Sequence, residues 1–505
     1  MKLRRILILV LALMMVLPLL AACNDGKNPD EETTPAQNDN QETDPDEIGE
    51  KDENPNIAPI DGGNREFHFL VRNPGAEFTF KYSEILDDET GDTVNQAVID
   101  RNYFIEEKYN IIITATTNTP AGMINLLDQD QRAGDTTYDV VMPMVENAFL
   151  ASCRGLLTEW DKIPYVDLDK SYWRKDVYNA SSVCGFNFYA IGDQNISAYN
   201  TVPVMFFNKE MREDLVLDNP YDLVENGTWT QAKMQEMAAV ATVDGNGDGM
   251  GDQGTLTDDV YGLVSGPFVW QPFFYASGMT LLAKDESDIP SLSAITDNSE
   301  LTIDIIKNIT TLMNDNTRAG LTTKIGYSGK GFDKFKEDGC LFYVECIYGQ
   351  FQITDMESEY GILPIPVWEE GAEFTSYIHA SHSSVSAIPL HVKDLNLSGA
   401  ILEDMAYYSQ KDIVPVFYED LIKLRGVRDS ESYEMLDIIF GNIILDIGQV
   451  MKGASLQIDN HVRAIVGDNT PDVIASTFQD NKEKYKAVID ELVLYFAQEG
   501  AKQYQ

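Results

Sequence analysis

The sequence predicts an α/β protein whose folded body divides into two lobes. Short apolar strands alternate with helices from residue 66 to residue 145, the order that builds layered α/β architectures. The body, about 440 residues from Arg65 to Gln505, exceeds what one hydrophobic core usually organises. From Gly399 onward the pattern is largely helical, so the strands belong to the chain before it.

The first strand is "EFHFLV" (Glu66 to Val71), where apolar and polar residues alternate with the period of a pleated strand. Thr93 to Tyr109 then carries Val94, Val98, Ile105 and Tyr109 at helical spacing. "YNIIITATT" reads as a second strand, Met123 to Arg132 as a helix, and "YDVVMPMV" (Tyr138 to Val145) as a third strand. This β-α-β-α-β order calls for parallel strands. "FNFYAIGD" and "VPVMFFNKE" predict further strands over residues 186–210. A mostly helical region to about residue 320 follows, then "GCLFYVE" as a strand, and "KEKYKAVIDELVLYFAQ" as a closing helix.

The N-terminus has a different character. Lys2, Arg4 and Arg5 precede an apolar run from Ile6 to Ala22, and small residues stand just before Cys23. That is the layout of a secretory signal over residues 1–22. No second apolar run of 18 or more follows. The spelling Leu20-Ala21-Ala22-Cys23 resembles a bacterial lipobox. The resemblance implies that the Cys23 thiol is lipidated and that the chain is anchored to the cell membrane on its extracellular side. A plain signal peptide with an incidental cysteine is the alternative. Residues 23–63 complete the leader as an acidic linker: residues 24–63 hold 13 acidic residues against Lys27 and Lys51 and almost no aliphatic ones. So polar a segment buries nothing, and as a flexible coil it reaches roughly 35 Å.

Charge excludes one class of partner. The chain carries a formal −45; residues 1–22 contribute +3 and residues 24–63 contribute −11, leaving −37 on the body. With no basic stripe, nucleic acid is excluded as a partner. Cys340 and Cys346 lie on one strand about 20 Å apart, beyond disulfide reach. Cys153 and Cys184 are free to pair in an exported protein or to stay as two buried thiols.

Taken in order, "VMFFNKEMREDL", "NGTWTQAKM", "YGLVSGPFVWQPFFYASGM", "FKEDGCLFYVE", "YGILPIPVWEEG" and "SSVSAIPLH" resemble the extracellular solute-binding proteins of ABC importers, in the branch related to maltodextrin-binding proteins. The resemblance covers most of residues 65–505. It implies a type II periplasmic-binding-protein-like fold with a ligand cleft between the lobes. Lobe 1 would comprise residues 64–195 plus 370–420, and lobe 2 residues 200–365 plus 425–505. It further implies a monomer that captures a small solute, most readily a sugar or oligosaccharide, and delivers it to an ABC permease in the membrane.

Ligands of open α/β sheets sit beyond the carboxyl ends of the strands. The candidates are therefore Arg72 and Asn73 after the first strand, Glu146 and Asn147 after the third, and Asp193 after "FYAIG". Glu345 and Tyr348 follow "LFYV". By the resemblance, Phe268 and Trp270 in "GPFVW" present an aromatic to sugar, and Glu146 and Asn147 fall where relatives carry polar sugar-binding side chains. A pyranose has an apolar face for an aromatic ring and a rim of hydroxyls for planar polar groups. Each residue is equally well read as core or ordinary surface, because the chain has five Trp, 24 Tyr and 22 Phe. Relatives that bind maltodextrin also use an aromatic late in the chain; the last tryptophan here is Trp368, which counts against maltodextrin itself.

"DGNGDGMGD" (residues 244–252) matches the first part of an EF-hand-type calcium loop. Asp244, Asn246, Asp248, the Met250 carbonyl and Asp252 occupy its liganding positions. Thr255 replaces the usual twelfth-position glutamate, and Asp258 or Asp259 would supply a carboxylate. A structural calcium is expected, and no cofactor for chemistry; an acidic turn that holds no ion is the plain alternative.

Other motifs fall away. In "HASH", His379 and His382 are three apart, a spacing that on a strand or loop does not put both rings on one face. "GYSGK" lacks the last glycine of a nucleophile elbow, "SGKGFDKF" lacks Walker A spacing, and there is no H-E-x-x-H. The expectation is a receptor rather than an enzyme. A binding lobe for a sensor or adhesion system, or an extracellular carbohydrate-active enzyme, are the alternatives.

Overall fold

In a computed structural model the chain is described over residues 53–73, 84–85, 93–245, 247, 249–250, 259–265, 270–315, 319–321, 331–423 and 430–503. Cys23, the signal segment and most of the acidic linker lie outside these residues, as do Asn246, Asp248, Asp252 and Phe268. Among the described residues no helix is long and apolar enough to cross a membrane.

Lobe 1 begins with β1 (Arg65–Arg72), α1 (Thr93–Tyr109), β2 (Ile111–Asn118), α2 (Pro120–Ala133), β3 (Val140–Met142) and α3 (Val145–Ser152). The central strand β1 pairs in parallel with β2 from Arg65↔Ile111 to Arg72↔Asn118, and with β3 from Phe69↔Val140 to Val71↔Met142. Parallel neighbours need crossovers, which α1 and α2 supply. The period-two pattern of β1 sends Phe67, Phe69 and Val71 to one core, with Ile105 and Tyr109 of α1. Leu70 goes to the opposite face with Met123, Ile124 and Leu127 of α2. α2 starts where Thr119 accepts from the Gly122 N–H ahead of Pro120, and stops at Gly134, whose φ of 73° suits glycine.

Two predicted strands differ. "YDVVMPMV" is strand only over Val140–Met142, because Pro143 has no N–H for a ladder and α3 starts at Val145. "FNFYAIGD" forms isolated bridges, among them Ala190↔Ser386, in place of a strand. The left-handed turn at Cys184 and Gly185, with φ of 55° and 79°, bends the chain away from a regular ladder.

The chain leaves lobe 1 through α4 (Ser197–Asn200) and enters β4 (Pro203–Asn208). α5 (Gln231–Ala241), β5 (Tyr261–Ser265), α6 (Trp270–Ala276), α7 (Ser299–Asn314), β6 (Ala319–Leu321), β7 (Cys340–Cys346) and β8 (Tyr360–Leu363) complete lobe 2. Its sheet runs β8-β4-β7-β5-β6. β7 is antiparallel to β4 and parallel to β5, so this sheet is mixed. β4 and β5 are buried throughout and β7 everywhere except Glu345, which explains their unbroken apolar spelling. β5 lies in the stretch expected to be mostly helical. Its five residues are too short to show a period, and Gly262 lets α5 pack so close that an added Cβ would stand 2.0 Å from the Ala238 carbonyl oxygen.

β9 (Ser376–Tyr377) then carries the chain back, and residues 384–389 bridge to the lobe 1 strands at Met144↔Ser384 and Val141↔Ala387. α8 (Leu395–Tyr408) covers the lobe 1 core with Leu397, Ile401 and Met405. A π-turn at Ser409–Ile413 separates it from α9 (Val414–Lys423). Pro415 there lacks the N–H that would bond one turn back, which loosens the helix. After α10 (Ser430–Gly441), β10 (Ile443–Ile444) pairs with β9, and α11 (Ile447–Val450), α12 (Ile458–Gly467) and α13 (Ile474–Gln503) close the fold. The four described cysteines are free thiols, so Cys153 and Cys184 do not pair.

Candidate functional site

The carboxyl ends of β1 and β3 meet around one tight turn, residues 379–383. The His382 and Ser383 N–H groups both donate to the His379 carbonyl, which reverses the chain. The turn is held from lobe 1 by α3, where the Glu146 N–H donates to the Ala380 carbonyl at 3.1 Å and the Ser381 hydroxyl donates to Glu146 Oε2 at 2.8 Å. It is held from the other side by Gln449, whose Oε1 accepts the Ala380 N–H. Gly453 completes the clamp: a Cβ there would lie 2.4 Å from the Glu146 carbonyl oxygen, so only glycine lets the 447–454 segment approach α3.

This turn brings the two histidines together, contrary to the reading of their spacing. Their Nδ1 atoms are 2.9 Å apart and the rings stand nearly perpendicular at 4.1 Å between centroids. A regular strand would separate them; a reversing turn does not. The Ser381 N–H also points at His379 Nδ1, which is thereby an acceptor, and His382 Nδ1 carries the proton between them. Burial pushes His379 well below the usual imidazole range, and burial with the nearby Arg72 brings His382 down to about 4. Both rings are neutral at pH 7.

Arg72 caps the turn, donating from Nη1 to the His382 carbonyl at 3.0 Å. Partial burial lowers its guanidinium to about 10, opposed by Glu84. Asn73 is exposed, its N–H bonded to the Asn118 carbonyl. Asn147 Oδ1 is buried and has no hydrogen-bond partner. At the lobe 2 side, Glu345 accepts from the Cys346 N–H at 2.9 Å, the Tyr348 hydroxyl at 3.0 Å and the Tyr343 hydroxyl at 3.2 Å. Burial raises the Glu345 carboxyl despite these donors. Gly349 permits the fit, since a Cβ would meet Glu345 Cγ at 2.7 Å.

Trp270 is 2 % exposed, packed on Phe274 and Tyr275, and its Nε1 has no partner. The next residue, Gln271, donates to Asp459 Oδ1 at 2.6 Å, and Lys452 Nζ stands 3.0 Å from Asp459 Oδ2. Tyr275 donates to Asp446, whose carboxyl burial raises to about 6. Tyr377 lies between Tyr275 and His379, with centroid distances of 4.7 and 6.0 Å.

Asp193 stands apart from this group. It is buried, it accepts from the Tyr199 hydroxyl, and burial raises it to about 6. The crossing segment contributes a different polar set: Glu84 accepts from Ser197 and Ser384, and Thr201 pairs with Ser383 at 2.6 Å. Beside it Asn200 is fully buried with neither side-chain atom bonded.

The acidic loop is tied at its base by the Val243↔Val260 bridge. Asp244 accepts from the Gly247 and Gly249 N–H groups at 2.6 and 3.0 Å, and buried Asp259 from Gly245 at 3.1 Å. Met250 packs against the lobe core. Among the described residues no cluster of three or more metal-ligating side chains occurs.

Sequence reasoning missed Gln271, Tyr377, Gln449, Lys452 and Asp459 at this boundary. Gln271, Gln449, Lys452 and Asp459 sit at no strand exit, and Tyr377 ends a strand of two residues, too short to show a period, so no local signal marks them; the histidines were visible but their turn was not.

No family model and no curated protein matches the sequence. Solved structures do match in fold. The GacH receptor of Streptomyces glaucescens, solved free and with acarbose, superposes with a TM-score of 0.54 at 13 % identity, covering 85 % of this chain and 99 % of its own. A cyclo/maltodextrin-binding protein complexed with maltotetraose gives 0.53 at 12 % identity, covering 85 % and 96 %. An ABC substrate-binding protein from Listeria monocytogenes in complex with cycloalternan gives 0.52 at 13 %, covering 86 % and 99 %. The chain thus has the two-lobed α/β fold of periplasmic binding proteins, the class that the sequence predicted.

Proposed function

We propose that the protein is a carbohydrate-binding receptor of an ABC importer, anchored outside the cell through Cys23, that closes its lobes on one saccharide and hands it to a permease. It is a receptor, with no chemistry on its ligand. The observation that carries this reading is the set of buried, unpartnered polar atoms at the lobe boundary: Asn147 Oδ1, both Asn200 side-chain atoms and Trp270 Nε1. Buried polar groups are almost always satisfied, and such exceptions mark places where water or a ligand completes the bonds. Saccharide hydroxyls supply both donors and acceptors. Around them stand Arg72 and Glu146 at the turn and Glu345 with Tyr348 on the lobe 2 side, while the rings of Tyr275, Tyr377 and Trp270 are buried in the packing behind them rather than presented as Trp270 was expected to be. The sugar-bound structures that share the fold support the choice of cargo. Lobe closure removes water from such a site and strengthens every polar contact.

The acidic loop is assigned a structural calcium, on the spacing of Asp244 and its neighbours. The test is a thermal-shift screen of the full-length protein against mono- and oligosaccharides, with calcium and with chelator. A saccharide at a hundred times its dissociation constant adds about 2.7 kcal/mol of stability. The hit should be recovered unchanged. Asn147→Leu should leave the free protein as stable or more so, because an unsatisfied atom is removed, yet weaken the hit about tenfold or more. An unshifted transition with every saccharide would defeat the reading.

A further inference from the structure

We infer that Glu84 is the positioning residue of the hinge: its carboxylate pins two of the segments that cross between the lobes to lobe 1, and so sets where the lobes turn. This rests on the receptor reading above, in which the lobes close on a ligand, and adds the pivot to it.

Both crossing segments lie on the path of the chain. Residues 194–202 lead from lobe 1 into β4, and residues 383–386 return to lobe 1, where Ser384 bridges to Met144 and Ser386 to Ala190. The two segments meet through side chains. Gln194 Nε2 donates to Ser386 Oγ at 2.9 Å and Asn195 Nδ2 to Ser384 Oγ at 3.1 Å. The Ser384 N–H donates to Ser197 Oγ at 2.9 Å, and Thr201 Oγ1 meets Ser383 Oγ at 2.6 Å. Hydroxyls both donate and accept and rotate to suit, so such contacts re-pair as two backbones shift, which a backbone ladder cannot do. A joint built this way needs something else to fix its position.

Glu84 supplies it. One oxygen, Oε1, receives the Ser197 hydroxyl at 2.8 Å, the Ser197 N–H at 3.2 Å and the Ser384 hydroxyl at 2.5 Å, so a single atom holds both segments. Hydrogen bonds to a carboxylate are roughly twice as strong as those between neutral groups. The Glu84 backbone is in turn fastened to lobe 1. Arg101 Nη2 donates to the Glu84 carbonyl at 2.7 Å, Asn102 Nδ2 donates to the Ile85 carbonyl at 3.0 Å, and Ile85 is buried in the core that α1 covers. Arg101 and Asn102 are themselves buried, which leaves this anchor little play. On the other side the Ile347 N–H donates to the Val202 carbonyl at 3.0 Å, tying the first crossing to the end of β7. Bending of that crossing is therefore confined to residues 198–201, between a point fixed to lobe 1 and a point fixed to lobe 2.

The test is the distance between two spin labels in the free full-length protein, introduced by amber suppression so that the native thiols are untouched, and read by pulsed electron spin resonance. One pair spans the lobes: Ala133 at the end of α2 and Val240 on α5, both exposed. The control pair, Val216 and Val240, lies within lobe 2 and is also exposed. Glu84→Gln keeps the shape and an acceptor but gives up the charge, and should broaden the interlobe distribution about 1.4-fold or more, as a pivot of half the stiffness would. Glu84→Leu leaves three donors without their acceptor and should broaden it about twofold or more. The control distribution should stay as it is in both variants, whereas a loosened fold would broaden both pairs. An interlobe distribution unchanged in Glu84→Leu, or broadened only together with the control, overturns the inference; Glu84→Gln decides in the same way if the leucine variant does not fold. No saccharide is used, so failure here leaves the saccharide reading standing, and failure of the saccharide screen leaves the pivot standing.

Discussion

At the scale of single residues the His379–His382 pair has the clearest consequence. His382 titrates at about 4 in the folded protein, against about 6.5 in an unfolded chain. Between those values the unfolded chain binds more protons, so the pair's contribution is complete above about pH 6.5 and is lost as pH falls toward 4. Arg72, Lys452 and Arg463 face the rings and oppose their protonation. Asp193 and Asp446, raised to about 6, act in the other direction: they are penalised while ionised, and acidification relieves them. The comparison that isolates the histidine is therefore a variant pair. His382→Gln, which keeps an amide N–H for His379, should lose about 1–2 kcal/mol less than the parent between pH 7 and pH 5. Equal losses by urea denaturation at the two pH values would rule the account out. The site was legible only where a residue followed a predictable strand. Arg72 and Glu146 follow β1 and β3, whose patterns betray them, and both meet the 379–383 turn. Asp193 follows a segment that is no strand, and it turns inward to Tyr199. Lys452 and Asp459 sit in a connection whose place is set wholly by tertiary packing.

At the scale of elements, α13 is the longest helix described, 30 residues or about 45 Å, and it touches both lobes. Its first half packs on lobe 2, with Tyr485 bonded to His461 of α12. Its second half lies on lobe 1: Tyr495 donates to the Ser152 carbonyl at 3.0 Å, and Phe496 packs on Phe149 and Phe188 at 5.3 and 5.8 Å. Phe496 is 2 % exposed, so Phe496→Ala should cost about 3–5 kcal/mol. A shift in the urea midpoint with unchanged slope would report it, and a loss under about 1 kcal/mol would show that α13 is not anchored there. The helix itself was evident from sequence, since its apolar stripe is long and regular. Its role in linking the lobes was not, because a stripe says what is buried and not against which partner. β5 shows the converse: five buried residues carry no period, and only the close approach of α5 at Gly262 defines the strand.

At the scale of the molecule, the net charge sets a long-range stability term. A body of formal charge −37 repels itself, and that repulsion weakens the compact state. Raising ionic strength from about 10 mM to 150 mM shortens the screening length from about 30 Å to about 8 Å, less than the span of either lobe. The free protein should therefore become more stable as salt rises, with most of the gain at the low end. Among the described residues, buried pairs such as Lys108 with Asp404 and Arg65 with Asp139 oppose this, and screening reaches them least. Melting temperature of the free protein against sodium chloride reads this term directly: the curve rises, most steeply at low salt. A free curve that falls with salt would mean that local ion pairs outweigh the global repulsion, and the long-range term would then have been given too much weight.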